Sequence, residues 1–330
     1  TANSAPQNND FCKRLEQSIQ GKKHGFLAGN LTYYVGGFHA SWKPIEDETI
    51  GLTHPFYHDL RSRGVSLVES QIDGTEHTGV GNDYRGWEFY KDTRVLYGSV
   101  RIGDKVHKHP APTKMIWRPD KMICEYQIEG VKIREEKFIG ANDAAASIIT
   151  SSEPVILQFT GHSFYVRHSV SSSAKIKYNT DRNVLLINEG GTVTSKPDPD
   201  GPDRVGPCVY QGMTTALSSS RDFSKTLLLS TGDKGEKKYF FEIPCDQNGV
   251  TVSWAMHDNE NTALKGAQDI INKNSQMLLD KTTEMNQLLS EQIPQFRCSD
   301  PKLEDIYYFL WSIYLMYYID VQKGWEMENH

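Results

Sequence analysis

A mainly β protein, built as a large antiparallel β-sandwich and followed by helices, is the fold class this sequence predicts. Three observations predict it. Short runs rich in β-branched and aromatic residues, broken by Gly, Asp, Asn or Pro, recur from about residue 65 to residue 255. Tight-turn residues stand between many of them at hairpin spacing. After Trp254 the pattern changes abruptly to apolar residues at helical spacing.

The predicted strands are Val65–Ile72, Thr93–Ile102, Lys114–Trp117, Met122–Ile128, Val131–Phe138, Ala144–Thr150, Val155–Phe159, Val184–Ile187, Thr226–Ser230, Tyr239–Ile243 and Val250–Ala255. Arg118-Pro119-Asp120, Glu129-Gly130 and Gln247-Asn248-Gly249 read as turns, so the strands they join pair antiparallel. No long helical period interrupts the series before residue 256, which disfavours parallel βαβ units and leaves two packed sheets as the economical arrangement. Lys196 to Pro207, dense in proline and polar breakers, reads as a long exposed loop.

Leu264, Ala267, Ile271, Leu278, Met285 and Leu288 then place an apolar stripe on one long helix, with Asp258 or Asn259 as its cap and Pro294 after its end. A second helix opens at Asp300-Pro301, an acid at the cap and proline at the first helical position, and extends to about Val321. Glu304 and Asp305 sit at the positive end of its dipole. Its middle, Tyr307 to Tyr318, is apolar or aromatic around nearly the whole circumference, the pattern of a helix buried on all sides. Such a helix needs neighbours on every side. The expectation is that residues 303–321 pack against further helices, from a C-terminal helical domain or from a partner chain.

The 330 residues, 38% hydrophobic and 24% charged with 16 tyrosines, describe a globular chain of about two folding units. A net charge of −6 without a dense Lys/Arg block argues against nucleic acid as a partner. No segment is long and apolar enough for a membrane span; Ile306–Ile319 is too short and is flanked by Asp305 and Asp320. Thr1 to Asp10 resembles the polar remnant left by signal-peptide removal, and Asn30-Leu31-Thr32 is an acceptor triplet for N-glycosylation at Asn30. Together they lead us to expect a secreted or lumenal glycoprotein. The five cysteines are too dispersed for a metal site. Two readings stay open for them, a bridge such as Cys208–Cys245 in an oxidising compartment or buried thiols in strands.

Several short segments carry a resemblance. Asn30 to Phe38, Tyr84-Arg85-Gly86-Trp87-Glu88-Phe89-Tyr90, and Ile293 to Asp300 followed by Leu303 and Tyr307 are similar to passages of the six-hairpin glycosidases, including mannosyl-oligosaccharide glucosidase and glucoamylase-like enzymes. After Trp87, where the glucosidases have Asp-Gly-Arg, this chain has Lys91-Asp92-Thr93-Arg94. The resemblance implies a β-sandwich of the supersandwich type over residues 1–256, a linker helix region over 257–298, and at 299–330 the first helix of an α/α toroid. It also implies cleavage of α-linked glycans with inversion, by an acid and a base carboxyl group about 6.5–9.5 Å apart. In that family both acids lie on toroid loops, so no catalytic residue is assigned in this span.

Glu125, Glu129, Glu135 and Glu136 are the obvious carboxylate cluster, but their strand and turn positions read as a solvated face. The histidines His54, His58, His107, His109, His162 and His168 lack the spacing of a metal site, and no cofactor-binding or nucleophile motif occurs. No metal or cofactor is expected. Carbohydrate is the expected ligand, and the candidate contacts are Trp42, Tyr84 and Trp87, whose rings would stack on a pyranose face beside polar neighbours. Trp117, Trp254 and Trp311 lie inside apolar patterns and are assigned to the core. The alternative is a non-catalytic carbohydrate-binding or structural subunit whose apolar helix docks on a partner.

Overall fold

A computed structural model describes residues 10–18, 32–33, 43–44, 50–53, 62–65, 97–108, 110, 112–140, 144–162, 169–172, 174–193, 208–223, 228–231, 237–257 and 259–316. In chain order it has helix α1 (Phe11–Arg14), then strands β1 (Gln17–Ser18), β2 (Thr32–Tyr33), β3 (Lys43–Pro44), β4 (Ile50–Thr53) and β5 (Ser62–Val65). β6 (Tyr97–Ile102), β7 (Lys105–Lys108), β8 (Lys114–Trp117), β9 (Met122–Ile128), β10 (Val131–Ile139), β11 (Ala144–Ser151) and β12 (Val155–His162) follow. The β region closes with β13 (Ser169–Ser172), β14 (Lys175–Asn179), β15 (Val184–Val193), β16 (Cys208–Ser219), β17 (Leu228–Thr231), β18 (Lys237–Cys245) and β19 (Val250–His257). Helices α2 (Glu260–Asn272), α3 (Asn274–Gln287) and α4 (Pro301–Met316) complete it, with a π-helical turn at Leu288–Gln292.

Most of the strands fall into two antiparallel sheets that share one core in a sandwich-like domain. The larger sheet has ten strands in the order β1-β8-β9-β10-β11-β19-β16-β15-β13, with β14 also paired to β15; the smaller has five, in the order β17-β18-β12-β6-β7, and β2 pairs with β3 and β4 with β5 outside them. Every described pairing is antiparallel, as the hairpin turns require. Glu129 (φ 49°) and Gly130 (φ 89°) both occupy the left-handed region, the two-residue turn whose twist suits a tight hairpin, and they join β9 to β10 in register Val131↔Ile128.

Alternation sorts side chains between the two faces of the ten-stranded sheet. Ile133, Ile149, Leu185, Leu217, Val252 and Trp254 belong to the main core, which also takes in Leu157, Phe159, Phe241 and Ile243 of the five-stranded sheet. Phe138, Ala146, Leu186, Ala216 and Ala255 of the opposite face form a second cluster with Ala263, Leu264, Ala267 and Ile270 of α2. The alanines let the helix lie close. At Gly140 a Cβ would stand 3.0 Å from Ile270 Cδ1 and 3.5 Å from Met277 Sδ, so any larger residue there would push the tip of Ile270 aside by a few tenths of an ångström.

Several expectations are revised here. The single long helix after residue 259 is two helices. Asn259 caps α2 by accepting from the Thr262 N–H, but Lys273 leaves helical geometry (φ −127°, ψ 23°). Beside it, Asn274 donates to Thr251 Oγ1 at 2.7 Å, an alternative partner that bends the path toward α1. Glu135 is not on a solvated face. It shares the inward parity of Val131 and Ile133, is fully buried with Lys137 3.6 Å away, and accepts from Tyr126 Oη and Ser147 Oγ, each at 2.7 Å. Glu125 and Glu136, by contrast, are half-buried and held by Arg134, and Glu129 is on an exposed turn beside Lys105 and His107. Cys12, Cys124 and Cys245 are buried and unbridged, so the Cys208–Cys245 disulfide is not formed in this structure and the buried-thiol reading describes them. Trp117 and Trp254 are fully buried, whereas Trp311 is only half-buried against the core. No helix among the described residues is long and apolar enough to cross a membrane.

Candidate functional site

The most elaborated feature in the described residues is the seat that fixes α4 to the sandwich. It starts with α1, a single turn capped by Asp10, whose carboxylate accepts from the Lys13 N–H at 3.0 Å. One turn suffices to bury Phe11, Cys12 and Leu15. The chain then runs as β1 along β8, with Gln17 opposite Trp117, which ties this turn to the edge of the large sheet.

α4 docks into that corner by one face. Phe11 and Tyr308 have ring centroids 4.6 Å apart, and Trp117 meets Phe309 edge-on at 5.2 Å. Burying each such ring stabilises by roughly 1.5–3 kcal/mol, so these four rings dominate the seat energetically. Arg14 adds direction. Its guanidinium lies 5.6 Å from the Tyr308 ring centroid and 5.7 Å from that of Phe11, and it pairs with Asp305 and, at 3.2 Å, with Glu304. The Cys298 N–H donates to Glu304 at 3.0 Å, and Arg297 stands 3.5 Å from it. That amide, with Arg14 and Arg297, holds the Glu304 carboxyl below the usual glutamate value. Asp300 accepts from the Lys302 N–H at 2.9 Å, the cap that its place before Pro301 predicts. The Tyr308 hydroxyl reaches back to Gln295 Oε1 at 3.0 Å, fastening the segment before the helix.

The neighbouring helix α3 is clamped from the same corner. Asp120, fully buried in the β8–β9 turn, accepts two hydrogen bonds from Arg118 at 2.9 Å and one from Thr282 Oγ1 at 2.6 Å. The Cys12 N–H donates to Asn286 Oδ1 at 2.9 Å. Burial, reinforced by the Asp120 charge, pushes the Cys12 thiol far above its ordinary value, so it is a packing group rather than a nucleophile. Burial likewise pulls the Lys281 ammonium down, with Glu284 at 3.6 Å opposing the shift.

The opposite side of α4 is exposed among the described residues. Leu303, Leu310 and Tyr314 are 52%, 46% and 63% exposed, so the helix expected to be enclosed on all sides is buried on one face only by the described residues. Chemically the described residues of the site position a helix. Among the described residues no group of three His, Cys, Asp or Glu side chains could hold a metal ion. Trp42, Tyr84, Trp87 and Asn30 lie outside the described residues. Sequence reasoning passed over Phe11 and Arg14 and read Asp120 only as part of a turn. The signal available was Phe11 and Leu15 at helical i, i+4 spacing after an Asp cap.

No family model matches the chain, and no curated protein does. Among solved structures it is distantly similar to a kojibiose phosphorylase from the human microbiome, at 11% identity and TM-score 0.34, over 84% of this chain and 35% of that one. It is similar also to an aldose epimerase homologue from C. elegans, at 10% identity and TM-score 0.31, over 69% of this chain and 99% of that one. A third is a 4-alpha-glucanotransferase from Thermococcus litoralis, at 10% identity and TM-score 0.23, over 63% of this chain and 36% of that one. These weak neighbours bear the names of proteins that act on sugars. The chain spans about a third of the length of the phosphorylase.

Proposed function

We propose that this chain is the supporting β-sandwich, with linker and first toroid helix, of a secreted or lumenal glycoside hydrolase acting on α-linked glycans with inversion. The observation that carries the reading is the geometry of α4. One face is anchored on the sandwich by Phe11, Arg14 and Trp117, and the other presents Leu303, Leu310 and Tyr314. A soluble protein rarely leaves such a surface uncovered, and further helices of a toroid would cover it. In this reading residues 1–256 are the sandwich domain, 257–298 the linker and 299–330 the start of the toroid. The sandwich holds that first helix in place, and the acid and base carboxyl groups come from toroid loops. Trp42, Tyr84 and Trp87 are proposed sugar contacts, and Asn30 a glycosylation site.

The test is to sequence the transcript past His330 and to incubate the intact natural protein with α-linked glucosides while following the anomer released by NMR. Further aromatic-rich helical hairpins and a β-anomer as first product are expected. No hairpins and no hydrolysis would overturn the enzymatic reading in favour of a non-catalytic carbohydrate-binding or structural subunit.

A further inference from the structure

We propose that Asn248 is a site of spontaneous deamidation whose rate is set by the Arg221–Asp246 ion pair. Asn248-Gly249 is the only Asn-Gly pair in the 330 residues. Glycine, with no Cβ, leaves its own nitrogen free to reach the side chain of the residue before it. In the reaction the Gly249 nitrogen bonds to Asn248 Cγ while the Cγ–Nδ2 bond breaks, and the proton shed by the attacking nitrogen leaves with Nδ2 as ammonia. The resulting succinimide takes up one water, which opens it at Cγ to aspartate or at the main-chain carbonyl to isoaspartate. One water is consumed and one ammonia released, with no oxidation. Asn248 is exposed, so water is at hand for the second step.

The fold keeps the nucleophile engaged. Asp246 to Gly249 carry the chain from β18 of the small sheet to β19 of the large one. The Gly249 N–H donates to the Asp246 carbonyl at 2.9 Å, and the Asp246 carboxylate accepts from the Asn248 N–H at 2.8 Å. Arg221 fixes Asp246 in turn, donating to its two carboxylate oxygens at 2.6 and 3.1 Å, and the Ser151 N–H shares its carbonyl at 3.1 Å. Arg221, and after it the backbone and side-chain amides of Asn248, hold the Asp246 carboxyl below the usual aspartate range. Attack therefore waits for a local opening in which contacts at Asp246 break. Conversion also has a structural consequence, because isoaspartate lengthens the main chain by one carbon. Gly249 sits at φ 74°, where a Cβ would stand 3.0 Å from Ile149 O and from Thr150 Cγ2, so the chain cannot swell toward β11. The added length instead loosens this connection between the two sheets. The site is independent of the glycan reading.

Peptide mapping by mass spectrometry of the full chain, aged at mildly alkaline pH with and without urea, tests it. The tryptic peptide from Tyr239 to Lys265 also carries Asn259 and Asn261, which serve as internal references. Asn248 should convert first in that peptide, and about tenfold or more slowly in the folded chain than in urea, since only the opened turn reacts. R221Q, which removes a partly exposed ion pair, should speed conversion of the folded chain about threefold. R221K, which keeps the charge but loses the two-point grip, should fall between. As isoaspartate accumulates, amide exchange at Ser151, whose acceptor is the Asp246 carbonyl, should accelerate. No conversion at Asn248, conversion as fast in the folded chain as in urea, or a folded rate unmoved by R221Q overturns the proposal. The comparison with urea uses the parent alone, so it decides the matter even where R221Q fails to fold.

Discussion

Replacing Glu135 by leucine should cost about 3–5 kcal/mol, the range for removing one partner of a buried ion pair. The magnitude comes from what remains. Lys137 is fully buried and would lose a carboxylate 3.6 Å away, while the Tyr126 and Ser147 hydroxyls would each lose an acceptor at 2.7 Å. An unsatisfied buried hydroxyl alone costs roughly 1–3 kcal/mol, but both can rotate, so the charge should dominate. Glu135→Leu with Lys137→Met removes both charges and most of the penalty. Relative to Glu135→Leu alone, it should recover about 2 kcal/mol or more, the remaining loss tracing to the two hydroxyls and to the other contacts of Lys137. Glu135→Gln keeps an acceptor oxygen and should fall between. Urea unfolding followed by tryptophan fluorescence, which reports on buried Trp254 and Trp117, gives each value, and the single and double replacements close a cycle. A Glu135→Leu variant within about 0.5 kcal/mol of the parent, or a double variant no better than the single, would show that the pair is hydrated and would refute the burial argument.

Phe309→Ala should destabilise by about 3–5 kcal/mol through the cavity left against Trp117, with amide exchange over residues 301–312 accelerating more than exchange in β10 or β11. Because Glu304 titrates below its ordinary value, the anchoring it provides is complete at neutral pH and is lost as pH falls through its folded-state value, below 4.5. Exchange in α4, corrected for intrinsic rates, should therefore rise at acid pH more steeply in the parent than in Glu304→Gln. In a Cys208→Ala background Ellman's reagent at pH 8 should label Cys298 promptly, while Cys12 and Cys245, whose thiols burial pushes up (Cys245 to about 12), react only on unfolding. Rapid labelling at either would contradict their burial.

Strands with continuous hydrophobic or alternating runs were legible in place, because packing between sheets demands that pattern, although Val155–Phe159 and Val184–Ile187 stop short of β12 and β15, which run on to His162 and Val193. Lys114–Trp117 and Met122–Ile128 match β8 and β9 end to end. β16 was not, although it lies inside the large sheet between β19 and β15. Apart from Leu217, its buried residues Thr214, Thr215, Ala216, Ser218 and Ser219 are small and mostly hydroxylated, so hydrophobicity barely announces it. Its burial follows from neighbours that a linear reading does not show. Glu135 was misread for a related reason. Charge was given more weight than parity, although Val131 and Ile133 on the same strand already indicated the inward face. The second helix was legible in its cap and its apolar content, but which side would be covered depended on Phe11 and Arg14, nearly three hundred positions earlier.

The union of Arg14 with Glu304 spans 290 positions of chain, and that of Cys12 with Asn286 spans 274. On a ribosome, Phe11 and Leu15 would emerge early and stay without their aromatic partners until almost everything between had been synthesised. Closing so wide a loop is entropically slow, so this corner should consolidate after the strands it rests on. Until then Trp117 and its apolar surroundings would remain available to chaperones.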